Sequence, residues 1–371
     1  MLSKLPTLKK YFFILIACLS IGIHAQSIRK YSNEFLNIGV DAASLGMSNA
    51  VVATSGDVNS GYWNPAGLTQ LEDKQLSLMH ASYFANIANY DYGAFAMPLD
   101  DKSAIALSII RFGVDDILDT TELIDADGQV DFNRINLFST ADYAFTFSYA
   151  RKTAIEGFSY GANAKVVRRI IGDFASSWGF GLDVGVQYRR NNWLLGLMIR
   201  DITTTFNAWS INEDAVERIQ DATPLNGNPQ ELPETTEITL PKLQLGLARS
   251  FAIKSKFTLQ TELDLIARLA ETNDIISSSS ISATPAFGFQ FDYSKVIFLR
   301  GGVGNFQDIT QFDGSTELGF QPNFGIGFQY KGISIDYALT DIGDQSAAIY
   351  SNVFSIKLDW RIFRKQAPEK R

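Results

Sequence analysis

The residues of this chain that could do chemistry are few, and the densest group is acidic. Asp125-Ala-Asp127-Gly128-Gln-Val-Asp131 resembles part of a calcium loop, and Asp115 and Asp116 lie shortly before it. The run lacks the glutamate that closes such a loop at the required spacing. An Asp-Gly turn in a solvated loop is the simpler interpretation, so we expect no metal site and no cofactor.

Histidine and cysteine are almost absent, which limits the enzymatic possibilities. The chain has two histidines, His24 and His80, and one cysteine, Cys18. If the first 25 residues are removed, only His80 remains, so an imidazole metal cluster, a disulfide and thiol catalysis are all excluded. A Ser-His-Asp triad would have to use His80, which lies near the first predicted strand. We therefore predict that the protein is not an enzyme.

The N-terminus has the charge order and length of a secretory signal peptide. Three lysines precede the apolar run Tyr11 to Ile23, which is too short to span a bilayer as a helix. We predict cleavage after Ala25. The alternative is a lipoprotein signal that ends at Cys18, but the residues after this cysteine are still apolar. Cleavage after Ala25 removes the three lysines and shifts the formal charge from −8 to −11, which argues against nucleic-acid binding.

From about Lys74 onward the chain alternates between apolar and polar residues. On the segment 178–188, large apolar side chains occupy the even positions, and glycines, Asp183 and Gln187 lie between them. The same alternation recurs along the chain. The predicted strands span 74–84, 90–98, 103–113, 142–152, 157–170, 177–190, 193–202, 241–251, 257–268, 284–293, 296–304, 322–331, 332–340 and 352–363.

This pattern predicts an all-β fold, and two architectures compete for it. A soluble sandwich also alternates. A transmembrane antiparallel barrel of about fourteen strands is favoured because the strands are long enough to cross a bilayer at a tilt and often carry aromatic residues at their ends. Short connections also alternate with mostly longer ones, notably 114–141, 203–240, 270–283 and 305–321. This arrangement predicts short periplasmic turns, longer outer loops and both termini in the periplasm.

The longest predicted connection, 203–240, includes a stretch with helical periodicity. Within 211–220, Ala215, Val216 and Ile219 would share one face of a short helix, and a proline-rich stretch follows. We interpret this connection as an outer lid over the barrel mouth. A solvated loop without a function is the alternative.

The stretch Ser60 to Gln70, SGYWNPAGLTQ, cannot lie in the middle of a sheet, because Pro65 has no backbone N–H to donate to a neighbouring strand. Pro65 also forces Asn64 away from helical angles. Together with the preceding run from Asn37, this stretch resembles the N-terminal region of the PorV/PorQ family of Bacteroidetes outer-membrane proteins. That family is similar to the FadL-type fourteen-stranded barrels, which carry an Asn-Pro-Ala signature in an N-terminal hatch. The resemblance is specific over about forty residues.

The resemblance implies that residues 31–70 form a hatch or plug inside the barrel. The motif residues would be Trp63, Asn64, Pro65, Ala66 and Gly67, with Asn64 and Pro65 fixing a tight turn and Ala66 and Gly67 allowing close packing on the wall. A barrel of fourteen strands has a lumen too wide for its own side chains to fill. The alternative is that Trp63-Asn64-Pro65 only caps the first strand.

Inward-facing charged residues on the predicted strands either line a conduit or hold the plug through salt bridges, and we favour the second role. These residues are Asp183, Arg189, Glu262, Asp264, Arg268, Asp292 and Arg300. The predicted organisation is a signal peptide at 1–25, a hatch at 26–70, a barrel at 71–364 in outer-membrane lipid and a periplasmic tail at 365–371.

The resemblance to PorV also implies work in type IX secretion. Such a barrel would be a platform that binds cargo with a C-terminal sorting domain and presents it to the translocon, using its outer loops and a lateral opening. The alternative function is FadL-like transport of hydrophobic small molecules, with a ligand bound in the lumen. A third possibility is a structural outer-membrane protein without a transport role.

Overall fold

The computed structural model describes residues 32–124, 129–215, 235–311, 313–340 and 350–363. The predicted signal peptide, the C-terminal tail and most of the helix expected at 211–220 therefore lie outside the described residues. The same is true of positions 125–128 of the acidic run.

Almost all of the regular structure consists of antiparallel strands, because period-two alternation fits a wall with two different faces. The strands are β1 (Gln75–Tyr83), β2 (Ala88–Pro98), β3 (Ser103–Asp119), β4 (Asn136–Lys152), β5 (Phe158–Ile171), β6 (Ala175–Arg190), β7 (Trp193–Arg200), β8 (Thr205–Ile211), β9 (Thr236–Thr239), β10 (Lys242–Lys254), β11 (Phe257–Arg268), β12 (Ile276–Ser277), β13 (Ser282–Tyr293), β14 (Ile297–Thr310), β15 (Thr316–Tyr330), β16 (Ile333–Thr340) and β17 (Ser351–Asp359). Short helical turns cover Glu34–Asn37, Ala42–Leu45, Ser60–Trp63, Pro65–Gln70, Phe132–Arg134 and Trp360–Phe363.

The sheet closes into a barrel of 14 strands, since β1 pairs with β2 on one side and with β17 on the other. The short strands β8, β9 and β12 are additional, and β8 pairs with the part of β6 that β7 leaves free. The predicted antiparallel barrel and its strand number are confirmed. A closed barrel leaves no unpaired edge, which a sheet in a bilayer requires.

The two faces of the wall differ as the alternation predicts. On β6, Trp178 and Phe180 are 52% and 63% exposed, whereas Asp183 and Gln187 between the apolar positions are buried. On β6, large apolar side chains thus point outward, and small or polar ones point into the barrel. None of the helices in the described part of the chain is long and apolar enough to cross a membrane.

Connections at one end of the barrel are all short, and we call this the short-turn end. The opposite end, the long-connection end, carries 120–135, 201–241 and 269–281. The prediction of a long connection over 305–321 is wrong, because β14 and β15 continue as paired strands up to Thr310 and Thr316. The extension of β14 is mostly polar, whereas Leu318 and Phe320 continue the apolar alternation of β15 outside the bounds predicted for that strand.

Residues 32–71, which we call the N-terminal segment, run through the barrel from one end to the other. Ser32 donates a hydrogen bond to Glu237 of β9 at the long-connection end (3.0 Å). At the other end Glu72, which follows the segment, forms an ion pair with Arg361. Most side chains of the segment are buried against the inward face of the wall.

Candidate functional site

Two acidic residues of β11 bind the backbone of the N-terminal segment at its midpoint. Asp264 and Glu262 are both 1% exposed and accept hydrogen bonds from the four successive main-chain N–H groups of residues 51–54. The N···O distances are 3.1 and 3.2 Å to Asp264 and 2.6 and 3.2 Å to Glu262. Two buried side chains thus satisfy four main-chain N–H groups, so Glu262 and Asp264 are a main attachment of the segment.

The carbonyl groups of the same stretch are bound from β6. Gln187 Nε2 donates to the carbonyl oxygens of Val52 (3.1 Å) and Ser55 (2.9 Å). Arg189 Nη2 donates to those of Ser55 (2.6 Å) and Thr54 (3.2 Å). The predicted inward residues Glu262, Asp264 and Arg189 therefore contact main-chain groups rather than forming salt bridges with the segment.

Glycines of the wall allow this stretch to lie directly on the sheet. A Cβ at Gly196 of β7 would lie 2.4 Å from the Val52 carbonyl oxygen, and one at Gly246 of β10 would lie 2.9 Å from the Ala53 nitrogen. Both distances are too short for real side chains. The stretch thus crosses β7 and β10 between its polar attachments on β6 and β11.

Asn64 links the segment to the wall through both atoms of its amide. Its Nδ2 donates to the carbonyl oxygens of Val52 (3.1 Å) and Val186 of β6 (3.0 Å), and its Oδ1 accepts from the Ala66 N–H (3.2 Å). The extended angles of Asn64, φ −161° and ψ 105°, are those expected before proline, and Pro65 begins the following helical turn. Asn64 is fully buried, so each of these bonds replaces water.

Close packing around the Asn-Pro turn depends on glycines at three positions. A Cβ at Gly185 would lie 2.2 Å from Asn64 Oδ1, and one at Gly161 would lie 2.6 Å from the Pro65 carbonyl carbon. Within the segment, a Cβ at Gly67 would lie 2.4 Å from a main-chain oxygen. The turn and the wall are thus fitted to each other.

The two aromatic residues before the turn stabilise the segment internally. Trp63 Nε1 donates to the Val40 carbonyl (3.1 Å), and the Tyr62 hydroxyl donates to the Leu36 carbonyl (2.6 Å). Arg200 of β7 places its guanidinium 4.2 Å from the centre of the Tyr62 ring and donates to the Tyr62 carbonyl (2.8 Å). This stacking adds a cation–π contact to the hydrogen bond.

Asp183 belongs to a buried cluster where β7 separates from β6. Lys165 Nζ lies 2.8 Å from Asp183 Oδ1 and 2.6 Å from Asp201 Oδ1, and Asp183 also accepts the Asp201 N–H (2.8 Å). Asn163 Nδ2 donates to the other oxygen of Asp183 (3.2 Å). One lysine thus holds two carboxylates where the chain leaves the sheet between β7 and β8.

The remaining predicted charges lie apart from the segment's midpoint. Arg300 forms an ion pair with Asp336 (2.6 Å), and Arg268 forms one with Asp274 (2.6 Å) at the long-connection end. Asp292 accepts a main-chain N–H three residues further on, in a short turn (3.2 Å). The structure therefore divides the predicted set among separate local contacts.

Several residues of the site were not singled out from the sequence. Arg200, Lys165 and Asp201 lie on or beside predicted strands, and Lys357 of β17 forms an ion pair with Asp57 of the segment. Their inward positions follow from the alternation. That signal could have identified them as inward-facing, although not which partner each one has.

A large apolar cavity lies on the outer face of the wall. It measures about 930 Å³ and is lined by outward side chains that include Leu107, Phe145, Phe147 and Phe180. Residues of β1 to β6 that point away from the lumen supply most of its lining. The lumen itself is occupied by the N-terminal segment along the stretches described above.

A family model decides the relationship of this chain. Residues 24–201, which include the segment and its Asn-Pro turn, match the model described as "Type IX secretion system protein PorV". Over this part of the chain the sequence is similar to the PorV family. The predicted PorV resemblance is thereby confirmed. The PorV model covers the segment, strands β1 to β7 and two of its wall contacts, Gln187 and Arg189.

Solved structures show the same fold at low sequence identity. A crystal structure of the toluene transporter TodX of Pseudomonas putida aligns with a TM-score of 0.52 and 13% identity, over 90% of this chain and 98% of TodX. A second TodX structure aligns with a TM-score of 0.51 and 13% identity, over 86% of this chain and 98% of TodX. A FadL homologue of Pseudomonas aeruginosa aligns with a TM-score of 0.49 and 12% identity, over 86% of this chain and 98% of the homologue. No curated protein matches the chain. The likeness to TodX shows the fold alone, a FadL-like antiparallel β-barrel.

Proposed function

We propose that this barrel acts in type IX secretion as a binding platform in the outer membrane. The match of residues 24–201 to the PorV family carries the proposal. On this view the signal peptide is cleaved after Ala25, the short-turn end faces the periplasm and the long-connection end faces outward, with outer-membrane lipid around the wall. The partners are the translocon and cargo that carries a C-terminal sorting domain.

The interior of the barrel supports a platform rather than a conduit. Residues 51–55 cross the lumen-facing side of four adjacent strands and are held by Asp264, Glu262, Gln187 and Arg189. A folded cargo protein could pass only if all of these contacts broke. We therefore propose that the N-terminal segment is a resident plug, with Trp63 to Gly67 as its anchor, and that cargo binds at the long-connection end.

The direct test is retrieval of the tagged protein from its native outer membrane in gentle detergent, followed by mass spectrometry. We expect a large translocon barrel or proteins with C-terminal sorting domains among the retained partners. Recovery of the barrel alone with an extracted apolar ligand would contradict the platform and favour the alternative, transport of hydrophobic small molecules.

A second test concerns the connection between β8 and β9. Removing all of 203–240 would also delete β8, which completes the wall beside β6. We therefore suggest replacing 216–233 with a short Gly-Ser linker, and replacing 342–348 in the same way as a matched control. Loss of cargo secretion only in the first variant, with heat-stable barrels in both, supports a cargo contact there. Normal secretion by the first variant would refute that contact.

A further inference from the structure

A polar cavity lies inside the barrel mouth at the long-connection end, apart from the contacts of the plug anchor. Its volume is about 420 Å³, within the range of about 300–1,000 Å³ typical of small-molecule sites. Strands β11 and β13 to β17, the tip of the β1–β2 hairpin and the first part of the N-terminal segment line it. Nothing in the barrel's proposed secretion role requires this lining.

One wall of the cavity carries a chain of side-chain amides. Asn273 donates to Gln307 (3.0 Å), Gln307 donates to Asn305 (2.7 Å), and Asn305 donates to Gln321 (2.9 Å), crossing from β14 to β15. Three of these four amides, those of Asn305, Gln307 and Gln321, line the cavity. An amide offers two donors and two acceptor lone pairs, so each keeps unused hydrogen-bonding capacity after these contacts.

The opposite wall is aromatic. Tyr83 of β1, Phe84 of the β1–β2 hairpin and Phe112 of β3 line the cavity. The rings of Tyr83 and Phe84 lie 6.3 Å apart, and Phe84 is 46% exposed with a positive φ of 53°. An exposed aromatic ring held in a strained backbone is unusual, and such residues are often found at binding sites.

The charged groups of the lining are already engaged. Arg268 is paired with Asp274 (2.6 Å), and Glu34 accepts a hydrogen bond from Asn37 (2.7 Å). Among the residues that the structure describes, one positive and one negative residue line the cavity, and neither sign dominates. A strongly charged ligand has no complement here, and a pure hydrocarbon would leave the amides without partners.

We propose that this mouth cavity binds a neutral saccharide. A sugar ring presents hydroxyl groups around its edge, each of which donates and accepts as the amides require. Its C–H face is weakly polar and packs against the negative face of an aromatic ring. The amide wall formed by Asn305, Gln307 and Gln321 would bind the hydroxyl edge, and Phe84 with Phe112 would contact the C–H face.

The test measures binding of maltopentaose and of polysaccharide released by mild acid from the lipopolysaccharide of the same outer membrane. The intact barrel is purified in lauryldimethylamine oxide, because maltoside detergents would themselves compete. Saturation-transfer NMR then reports which sugar protons contact the protein. Binding of free maltopentaose indicates a soluble sugar as the source, and binding of the released polysaccharide alone indicates a lipid-linked glycan.

Variants locate the binding. We expect Gln307→Leu and Phe84→Ala each to weaken binding about tenfold or more. Gln329→Leu, near the short-turn end of β15, is the control and should bind as the wild type does. Failure of both sugars to saturate by about 10 mM would overturn the proposal. So would binding that Gln307→Leu and Phe84→Ala leave unchanged. The pull-down of secretion partners tests the platform separately, since neither result depends on the other.

Discussion

Asn64 donates a hydrogen bond from its side chain to the main-chain carbonyl of Val186, 122 residues later in the chain, over 3.0 Å. The same amide also reaches Val52 and Ala66. One buried side chain thus connects the N-terminal segment to itself and to the barrel wall.

Asn64→Ala should loosen the plug. The substitution leaves the buried Ala66 N–H without its acceptor and takes a donor from the carbonyls of Val52 and Val186, which should cost about 1–3 kcal/mol. Limited proteolysis of the folded barrel should then cleave the N-terminal segment faster. Asn136→Ala, at an exposed strand end, is the control. Equal cleavage of the two variants would show that Asn64 does not anchor the segment.

Removing the two carboxylates of β11 should open the lumen. Glu262→Ala together with Asp264→Ala deprives the N–H groups of residues 51–54 of their acceptors, so the segment should leave the wall. Ion conductance in planar bilayers should rise above that of the wild type. Glu317→Ala, at an exposed position of β15, is the control and should leave the ion conductance unchanged. A double variant as silent as the wild type would argue against a plug held by these residues.

A side chain at Gly196 should also displace the segment, by steric overlap. Gly196→Ala places a Cβ 2.4 Å from the Val52 carbonyl oxygen, and overpacking of this kind costs about 1–3 kcal/mol. We expect a lower urea midpoint for unfolding in detergent. A Cβ at Gly93 would lie 3.6 Å from the nearest side-chain atoms, so Gly93→Ala should unfold like the wild type. Indistinguishable midpoints for the two variants would contradict this account.

Lys165 should be the most sensitive member of the buried cluster. Lys165→Met leaves Asp183 and Asp201 unpaired, and breaking a buried ion pair in this way costs about 3–5 kcal/mol. Adding Asp183→Asn and Asp201→Asn to the lysine variant removes both charges and should restore much of the lost stability. Urea unfolding of the single and triple variants measures this difference. A triple variant no more stable than the single one would show that the lost stability of Lys165→Met does not come from unpaired charges.

The sequence by itself determined the barrel. Outward residues such as Phe180 and Phe324 recur at every second position, and strand length, aromatic strand ends and alternating connection lengths favour a membrane barrel over a soluble sandwich. The Asn64-Pro65 turn was also predictable from the sequence, because proline restricts its own backbone and that of the residue before it. Strand ends were less predictable on β14, where mostly polar residues extend the strand, and on β15, where the predicted bounds left out the alternating Leu318 and Phe320.

Only the tertiary structure decided which inward groups meet. Alternation places Glu262, Asp264 and Arg189 inside the barrel, but their partners are main-chain atoms of residues 51–55, 134 to 213 positions away in the chain. The pairing of β7 with β10 brings β6 and β11 to opposite sides of that stretch. The spacing of residues along one strand does not tell which wall residues meet residues 51–55, because the register of all the strands between β6 and β11 fixes their relative positions.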